Sequence, residues 1–584
     1  MAYLTKPQPN QGLPLSCISS TPKYASYQSP HKAQAENPYG YYIGTIYERM
    51  RELDSGEYET YRQDDGPYLR HIRYLAGHGW PQLRYLADFI DCSTVAIKSK
   101  VLVAEDKKER LQRHHVAVLD FGNERGVKCR KFKSPDSPQK LSEFLDSGSW
   151  PDERNLARLI VVEDLSSVVV EMLGSRYDIN PQFFRGQLGD YTWFNTRDPW
   201  VETPALDSHL KSQSFLRFRY VQPRYLVDGE SIKRARRQAG SFNVLRRIDF
   251  DTSNKVWADA EGSDVGLVRC STSVWVRPNV SPDQGWLGKA IDTLFHELRL
   301  IIKGVLLLDP TITEGFPLWG GYGNLNVPPG MNQYTHLAGK PSWNSTIDDF
   351  IYWVMSMNPD QLQTLDQDPE YITSAVYDFM ACQWLLLFDH ITTRLSQIEW
   401  EIESEPFRTL EGLDGTLQKF HPWRRRIPLY NNFIRSMLDL LEDRFLSPES
   451  TRAHWSKTTE NVRHLLGRLE EVQNRADHVI SVLTAVILIQ ESKKAITQTR
   501  DVTRITYLAF LFVPMSFVAT FLSMNNNFPS GNNMVYWIYF VIALPLSGTA
   551  LLLAYYWTRV EDLWKRTFGS PQDPRQVVGP MPKS

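Results

Sequence analysis

The chain has 584 residues, with 65 Lys and Arg against 67 Asp and Glu and a formal net charge of −2. It is therefore long enough for more than one domain and has none of the basic excess of a nucleic-acid binder. Its mean hydropathy of −0.37 puts most of the mass in water. Cys17, Cys92, Cys129, Cys270 and Cys382 are scattered without a C-x-x-C pair, which excludes a disulfide framework or zinc site and suits reducing cytosol.

Residues 1–38 read as a disordered tail, rich in Pro, Ser, Gln and Lys, without an apolar run and without arginine before Arg49. Residues 39–310 mix helix and strand signals, as in a mixed α/β cytosolic domain. A helix is expected at 41–53, short strands at 102–104 and 116–121, and an apolar strand at 159–162. A helix follows from 164 to 173, stopped by Gly174, and Pro181 opens another carrying Phe183 and Phe184. Strand-like alternation marks 213–220, 242–250 and 267–276, and 304–310 is either a last core strand or a helix end.

Residues 311–346 form a Gly/Pro-rich loop. Its Gly320, Gly321 and Gly323 make no phosphate loop, because no strand precedes them and no Lys-Ser/Thr follows. Residues 347–504 are helical, with helices at 347–357, 371–403 and 429–445 and a long one from about 448. Val462, Leu466, Leu469, Ala476, Ile480, Leu483 and Ile487 keep three-four spacing along it, and no proline or glycine interrupts 468–513. The stretch 452–504 would be roughly 80 Å long at about 1.5 Å per residue.

Residues 505–557 organise the chain as a two-span transmembrane hairpin. Residues 505–524 and 534–557 carry no charge, and roughly twenty apolar residues cross a hydrocarbon core of about 30 Å. Pro514 and Pro545 are tolerated in such helices. Lys493, Lys494, Arg500 and Arg504 precede the first span and Arg559, Lys565 and Arg566 follow the second, while the loop 525–533 is uncharged. The positive-inside rule puts both ends, including the tail 558–584, in the cytoplasm. Tyr507, Tyr536, Trp537, Tyr555, Tyr556 and Trp557 sit at the span ends, as an aromatic belt would. Val502, Ile505, Ala509, Val513, Ser516 and Thr520 form one stripe of mostly small or hydroxyl-bearing residues, which suits either helix packing or a water path.

The run from Pro514 to Asn525, ending Ser523-Met524-Asn525, resembles the close of the first span in CorA-type magnesium transporters, whose signature is Gly-Met-Asn. The order of the N-terminal signals is similar to the cytosolic domain of fungal CorA-like proteins. The resemblance implies an α+β fold whose long stalk helix continues into the first span, and a homopentamer whose first spans line the pore. Asn525 falls on the signature asparagine, Met524 on the methionine, Ser523 where the family has glycine, and Val513, Ser516 and Thr520 on pore-facing positions. Two departures stand out: the serine at 523 and the absence of acidic residues from 525–533. The literal Gly330-Met331-Asn332 and the near match Ser356-Met357-Asn358 end no span.

The expected function is a divalent-cation channel, most naturally for Mg²⁺, which keeps its water and would be met by neutral oxygens of Asn525, Thr520 and Ser516. Mg²⁺ is then cargo and no cofactor is expected. The alternative is a transport-inactive, membrane-anchored binding or scaffold protein of the same fold. The expected partners are divalent cation, membrane lipid and other copies of the chain, without nucleic acid, and the plasma membrane is favoured over an organelle. No catalytic constellation is present: His296-Glu297-Leu298-Arg299 lacks the second histidine of a zinc-protease motif, and His114-His115 stand without ligand spacing.

Overall fold

The computed structural model describes residues 66–93, 104–122, 126–146, 155–189, 206–251, 262–276, 302–321, 345–357, 359–367, 369–404, 410–445, 449–524 and 534–568. The expected tail 1–38, the helix at 41–53, most of the Gly/Pro-rich loop, His296, Glu297, Asn525 and the loop 525–533 lie outside the described residues. The fold is mixed α+β, with a sheet domain in the N-terminal half and long helices toward the C-terminus. Contacts divide the chain into two units, residues 1–392 with 427–471, and residues 393–426 with 472–584.

In the first unit the helices are α1 (Pro67–Gly77), α2 (Arg84–Cys92), α3 (Ala104–Gln112), α4 (Pro138–Asp146), α5 (Ser167–Tyr177), α6 (Pro181–Leu188), α7 (Asp207–Ser212), α8 (Gly229–Ser241), α9 (Thr346–Met355) and α10 (Pro359–Gln367). The strands are β1 (His115–Gly122), β2 (Gly126–Lys133), β3 (Asn155–Glu163), β4 (Phe215–Leu226), β5 (Ile248–Asp251), β6 (Asp264–Val276), β7 (Ile302–Leu308) and β8 (Phe316–Pro317). They form one sheet in the order β2-β1-β3-β7-β6-β4-β8, with β5 on β6. All pairs are antiparallel except β3 with β7, where Val161 faces Leu306.

The near-continuous apolar run of β3 follows from burial on both sides. Val116, Val118, Ile160, Val162, Val305 and Leu307 join the core made by α1, α2, α5 and α6, including Ile72, Phe89, Leu173, Phe183 and Phe184. Ala117, Leu119, Leu159, Val161 and Leu306 are equally buried on the other face. There α9 and α10 lie over the sheet.

Several expectations are corrected by these contacts. Ala104, expected to end a strand, begins the charged helix α3. Gly174 does not stop its helix, which runs on to Tyr177; a Cβ there would stand 2.4 Å from the Tyr68 ring, so this glycine admits an aromatic neighbour. The strand expected over 242–250 is reduced to 248–251, because the Asn243 and Val244 amides turn away to the Asp164 carboxylate. Residues 302–308 are a strand, which resolves the ambiguity there. Gly315 has φ +74° with Tyr225 O only 2.3 Å from a built Cβ, so no side chain fits where the chain turns into β8.

A buried polar knot holds the sheet's helical ends together. Asp309, just past β7, accepts from Arg246 Nε (2.5 Å) and NH2 (2.8 Å), Gln187 Nε2 (2.6 Å) and the Ser271 amide (2.6 Å). Arg246 also donates to Gln187 O, and Ser273 Oγ to Gln187 Oε1. Four separate segments meet on one carboxylate with its lone pairs filled.

The long helices are α11 (Ser374–Glu403), α12 (Leu410–Phe445), α13 (Glu449–Ser523, 75 residues) and α14 (Met534–Phe568). The helix expected over 429–445 is longer: α12 begins 19 residues earlier and runs through Pro422 and Pro428, with Leu413, Phe420, Trp423 and Ile427 buried. Within the first unit, Trp384 packs on Tyr430 and Trp455 on Tyr371 and Tyr377. In the second unit Glu401 takes Thr416 and Lys419, and Glu399 takes Arg475.

Candidate functional site

Among the described residues, two helices are long and apolar enough to cross a membrane, and burial separates them. In Tyr371–Glu403 67% of the apolar window is buried, as in the core helix of a soluble domain. In Trp455–Ser523 the share is 6%, and Trp537–Leu553 on α14 is a shorter apolar stretch. The stripe of α13 is buried at Val472, Ala476, Val479 and Leu483 and loses its cover there. Every residue from 491 to 510 is exposed.

Beyond that point α13 has two unlike sides. One carries Leu511, Pro514, Met515, Val518 and Leu522, all at least half-buried. Val518, Ala543 and Ser547 are buried between α13 and α14. Tyr539 Oη donates to Met515 O (3.3 Å) and Ser547 Oγ to Leu511 O (3.2 Å), so a position nearer the end of α13 meets one nearer the start of α14. These two ties flank Pro514, whose ring leaves the Phe510 carbonyl without its helical donor.

The opposite side carries Val502, Ile505, Ala509, Val513, Ser516 and Thr520, all exposed. Val513 is 67% exposed, and the flanking Phe517 and Phe521 each 66%. Thr520 Oγ1 donates to Ser516 O at 2.9 Å, so its proton is spent within the helix and its lone pairs point outward. The last turn closes with the Met524 amide on Thr520 O, after Ser523 ends the helix, and Met524 is 81% exposed. The six residues singled out from the sequence thus divide: Val513, Ser516 and Thr520 share the open face, Ser523 and Met524 lie at its end, and Asn525 is outside the described residues.

Lys493, Lys494, Arg500 and Arg504 are exposed just before this segment, Arg504 pairing with Asp501 at 3.3 Å. Tyr507, Trp537, Tyr555 and Tyr556 are exposed at its ends. No group of three or more His, Cys, Asp or Glu able to hold a metal occurs among the described residues. His115 Nδ1 instead bonds Glu163 (2.6 Å), and His114 Nδ1 the Gln112 carbonyl (3.1 Å). An open cavity of about 410 Å³ lined by Ser142, Val168, Glu171, Met172, Ser175 and Arg176 offers no chemistry: Glu171 caps α1 through the Tyr68 and Leu69 amides, and Arg176 pairs with Asp146.

The apolar pair falls inside a recognisable domain. Residues 343–559 match the family model of the CorA-like Mg²⁺ transporter protein. This CorA-like region takes in α9 through most of α14, including both faces of the exposed segment. Among solved structures, the CorA magnesium transporter of Methanocaldococcus jannaschii is similar at 11% identity and a TM-score of 0.34, over 76% of this chain and 97% of that one. No curated protein matches the chain. Tyr539 and Ser547, which hold the two helices of the CorA-like region together, were not singled out from the sequence. A hydroxyl in an apolar span is the signal that marks Ser547.

Proposed function

We propose that the chain is a divalent-cation transporter, with Mg²⁺ as cargo, whose water path is lined by the first apolar segment, residues 505–524. The observation that carries this is the opposition of the two faces of α13. If the small and hydroxyl-bearing stripe served to pack the two helices of one chain, it would face α14. The buried face is the other one, with Val518 against α14 and Ser516 and Thr520 open. The family match over 343–559 supports the transport class.

The chemistry fits a hydrated ion. Mg²⁺ sheds water reluctantly, so its shell presents O–H donors to the wall and needs acceptors there. Thr520, with its own proton committed to Ser516 O, supplies one. Neutral oxygens bind such an ion weakly enough to release it. Asn525, one residue past Met524, would add a carboxamide oxygen at the mouth, with Ser523 and Met524 completing the turn. Two helices enclose no water path, so the working form is a symmetric oligomer, a pentamer by resemblance. In this reading the two spans form a transmembrane hairpin in the plasma membrane, and the cations flanking both spans, under the positive-inside rule, support cytoplasmic ends.

The test is Mg²⁺ flux into vesicles holding purified protein, with oligomer size checked in mild detergent. Flux that is lost in Asn525→Ala at unchanged oligomer size is the expected result. Sealed vesicles with assembled wild-type protein and no flux would overturn the proposal in favour of a membrane-anchored binding protein.

A further inference from the structure

The turn between β2 and α4 reads Lys133-Ser134-Pro135-Asp136-Ser137-Pro138-Gln139-Lys140. Ser137 is followed by proline and, three residues on, by lysine. That combination occurs at one other place in the chain, Ser29-Pro30-His31-Lys32, which lies outside the described residues. The two hydroxyls of the turn differ. Ser134 is half-buried, and its Oγ accepts the His114 amide at 3.0 Å, whereas Ser137 is exposed, as are Lys133 and Lys140, and its Oγ is bonded within its own turn, donating to Gln139 Oε1 and accepting the Gln139 amide.

We propose that Ser137 is a phosphorylation site for a proline-directed serine kinase that reads Pro138 and Lys140. In the transfer, Ser137 Oγ attacks the γ-phosphorus of Mg-ATP. The bond from that phosphorus to the bridging oxygen breaks, ADP leaves with the electron pair, and the hydroxyl proton passes to the kinase's base.

Local structure makes the site both reachable and responsive. A kinase takes its substrate extended, so Pro138 to Lys140 must leave the first turn of α4. That helix has nine residues, and helices this short depend on their packing. Pro138, Gln139 and Lys140 are half-buried or exposed, and the first fully buried side chain is Leu141, so opening can stop short of the core.

Once formed, the phosphate sits at the start of α4, where Ser137 Oγ already accepts the Gln139 amide (3.3 Å) and Ser137 O the Lys140 amide (3.1 Å). A dianion there is favoured by the positive end of the helix dipole, with the Gln139 amide already directed at Ser137 Oγ. Lys140 now pairs with Asp136 at 2.7 Å, which holds that carboxyl below its usual range. The phosphate, with twice the charge, takes Lys140 over. Modification therefore caps and stiffens α4, whose Phe144 carries the Arg130 and Arg158 guanidinium groups at 4.4 and 5.0 Å.

The full chain, purified in detergent, is incubated with a cyclin-dependent kinase and labelled ATP. With Ser29→Ala as background, the expected result is one phosphate per chain that survives Ser134→Ala and disappears in Ser137→Ala. Lys140→Ala, which keeps the hydroxyl and the fold, should slow incorporation about tenfold. Amide exchange over 139–143 should slow in the phosphorylated chain. No label in the Ser29→Ala chain, label undiminished by Ser137→Ala, or label without slower exchange would overturn the proposal.

Discussion

Thr520→Val isolates the property on which the transport reading rests. Valine keeps the volume and branching of threonine and removes only the hydroxyl. The fold loses little, because the lost bond, Thr520 Oγ1 to Ser516 O at 2.9 Å, duplicates what the helical amide already gives that carbonyl. A hydrated cation loses an acceptor in every copy. An ordinary hydrogen bond is worth about 0.5–1.5 kcal/mol net, so if two acceptors of the ring engage one ion at a time the barrier rises by about 1–3 kcal/mol. That is about 5- to 150-fold in flux, at about 1.4 kcal/mol per tenfold. Dye-reported Mg²⁺ uptake into vesicles reads the loss, beside a native-size measurement that should not change. Ser547→Ala is the matched control, since Ser547 is buried and bonds Leu511 O. It should weaken the helix pair by about 0.5–2 kcal/mol while leaving flux per assembled oligomer near wild type. Wild-type flux from assembled Thr520→Val would refute the argument that this face meets the ion.

Two further outcomes concern the first unit. Burial pushes the Asp378 carboxyl up, with the Asn461 amide at 3.2 Å opposing, so the fold favours its neutral form. Its contribution is therefore fully present below the unfolded value of about 3.9 and is lost as pH rises through the raised folded value. Asp378→Asn should raise the melting temperature at pH 7 and leave it unchanged near pH 3.5; an equal shift at both would refute the titration argument. Asp309→Ala should cost about 3–5 kcal/mol, because it strands the Arg246 guanidinium, whose side chain is 4% exposed, and thermal unfolding of the full chain would show it. A loss under about 1 kcal/mol would mean that water replaces the carboxylate.

What the sequence made legible follows from how far each signal depends on distant contacts. The helix from 449 to 523 was visible because an uninterrupted three-four stripe is a local property, and β3 because its doubly buried stretch 159–162 is apolar at every position. Gly174 looked like a helix stop because its use, room for the Tyr68 ring, lies 106 residues away (174 − 68). The helix expected from 429 starts at Leu410 and passes through Pro422 and Pro428, with Trp423 and Ile427 beside them buried. The strand expected over 242–250 had the right alternation but is strand only from 248, because the Asn243 and Val244 amides go to one carboxylate, Asp164.

The long apolar segment illustrates the same division at the candidate site. Spacing alone put Val513, Ser516 and Thr520 on one stripe, but it cannot say what the stripe faces, since small residues suit a close helix neighbour as well as water. The answer depends on α14, whose stretch from 534 to 557 is apolar apart from a few hydroxyls and so carries little facing information beyond them. Ser547 and Tyr539 supply it. By bonding the Leu511 and Met515 carbonyls they commit one side of α13 to its neighbour and leave the hydroxyl-bearing side free. The carbonyls they reach are those beside Pro514, where the helix already lacks one internal donor. The proline and the two hydroxyls thus act together: one loosens the backbone on the buried side, and the others hold it there. A helix fixed in rotation in this way can keep Ser516 and Thr520 turned toward one axis in every copy of an oligomer.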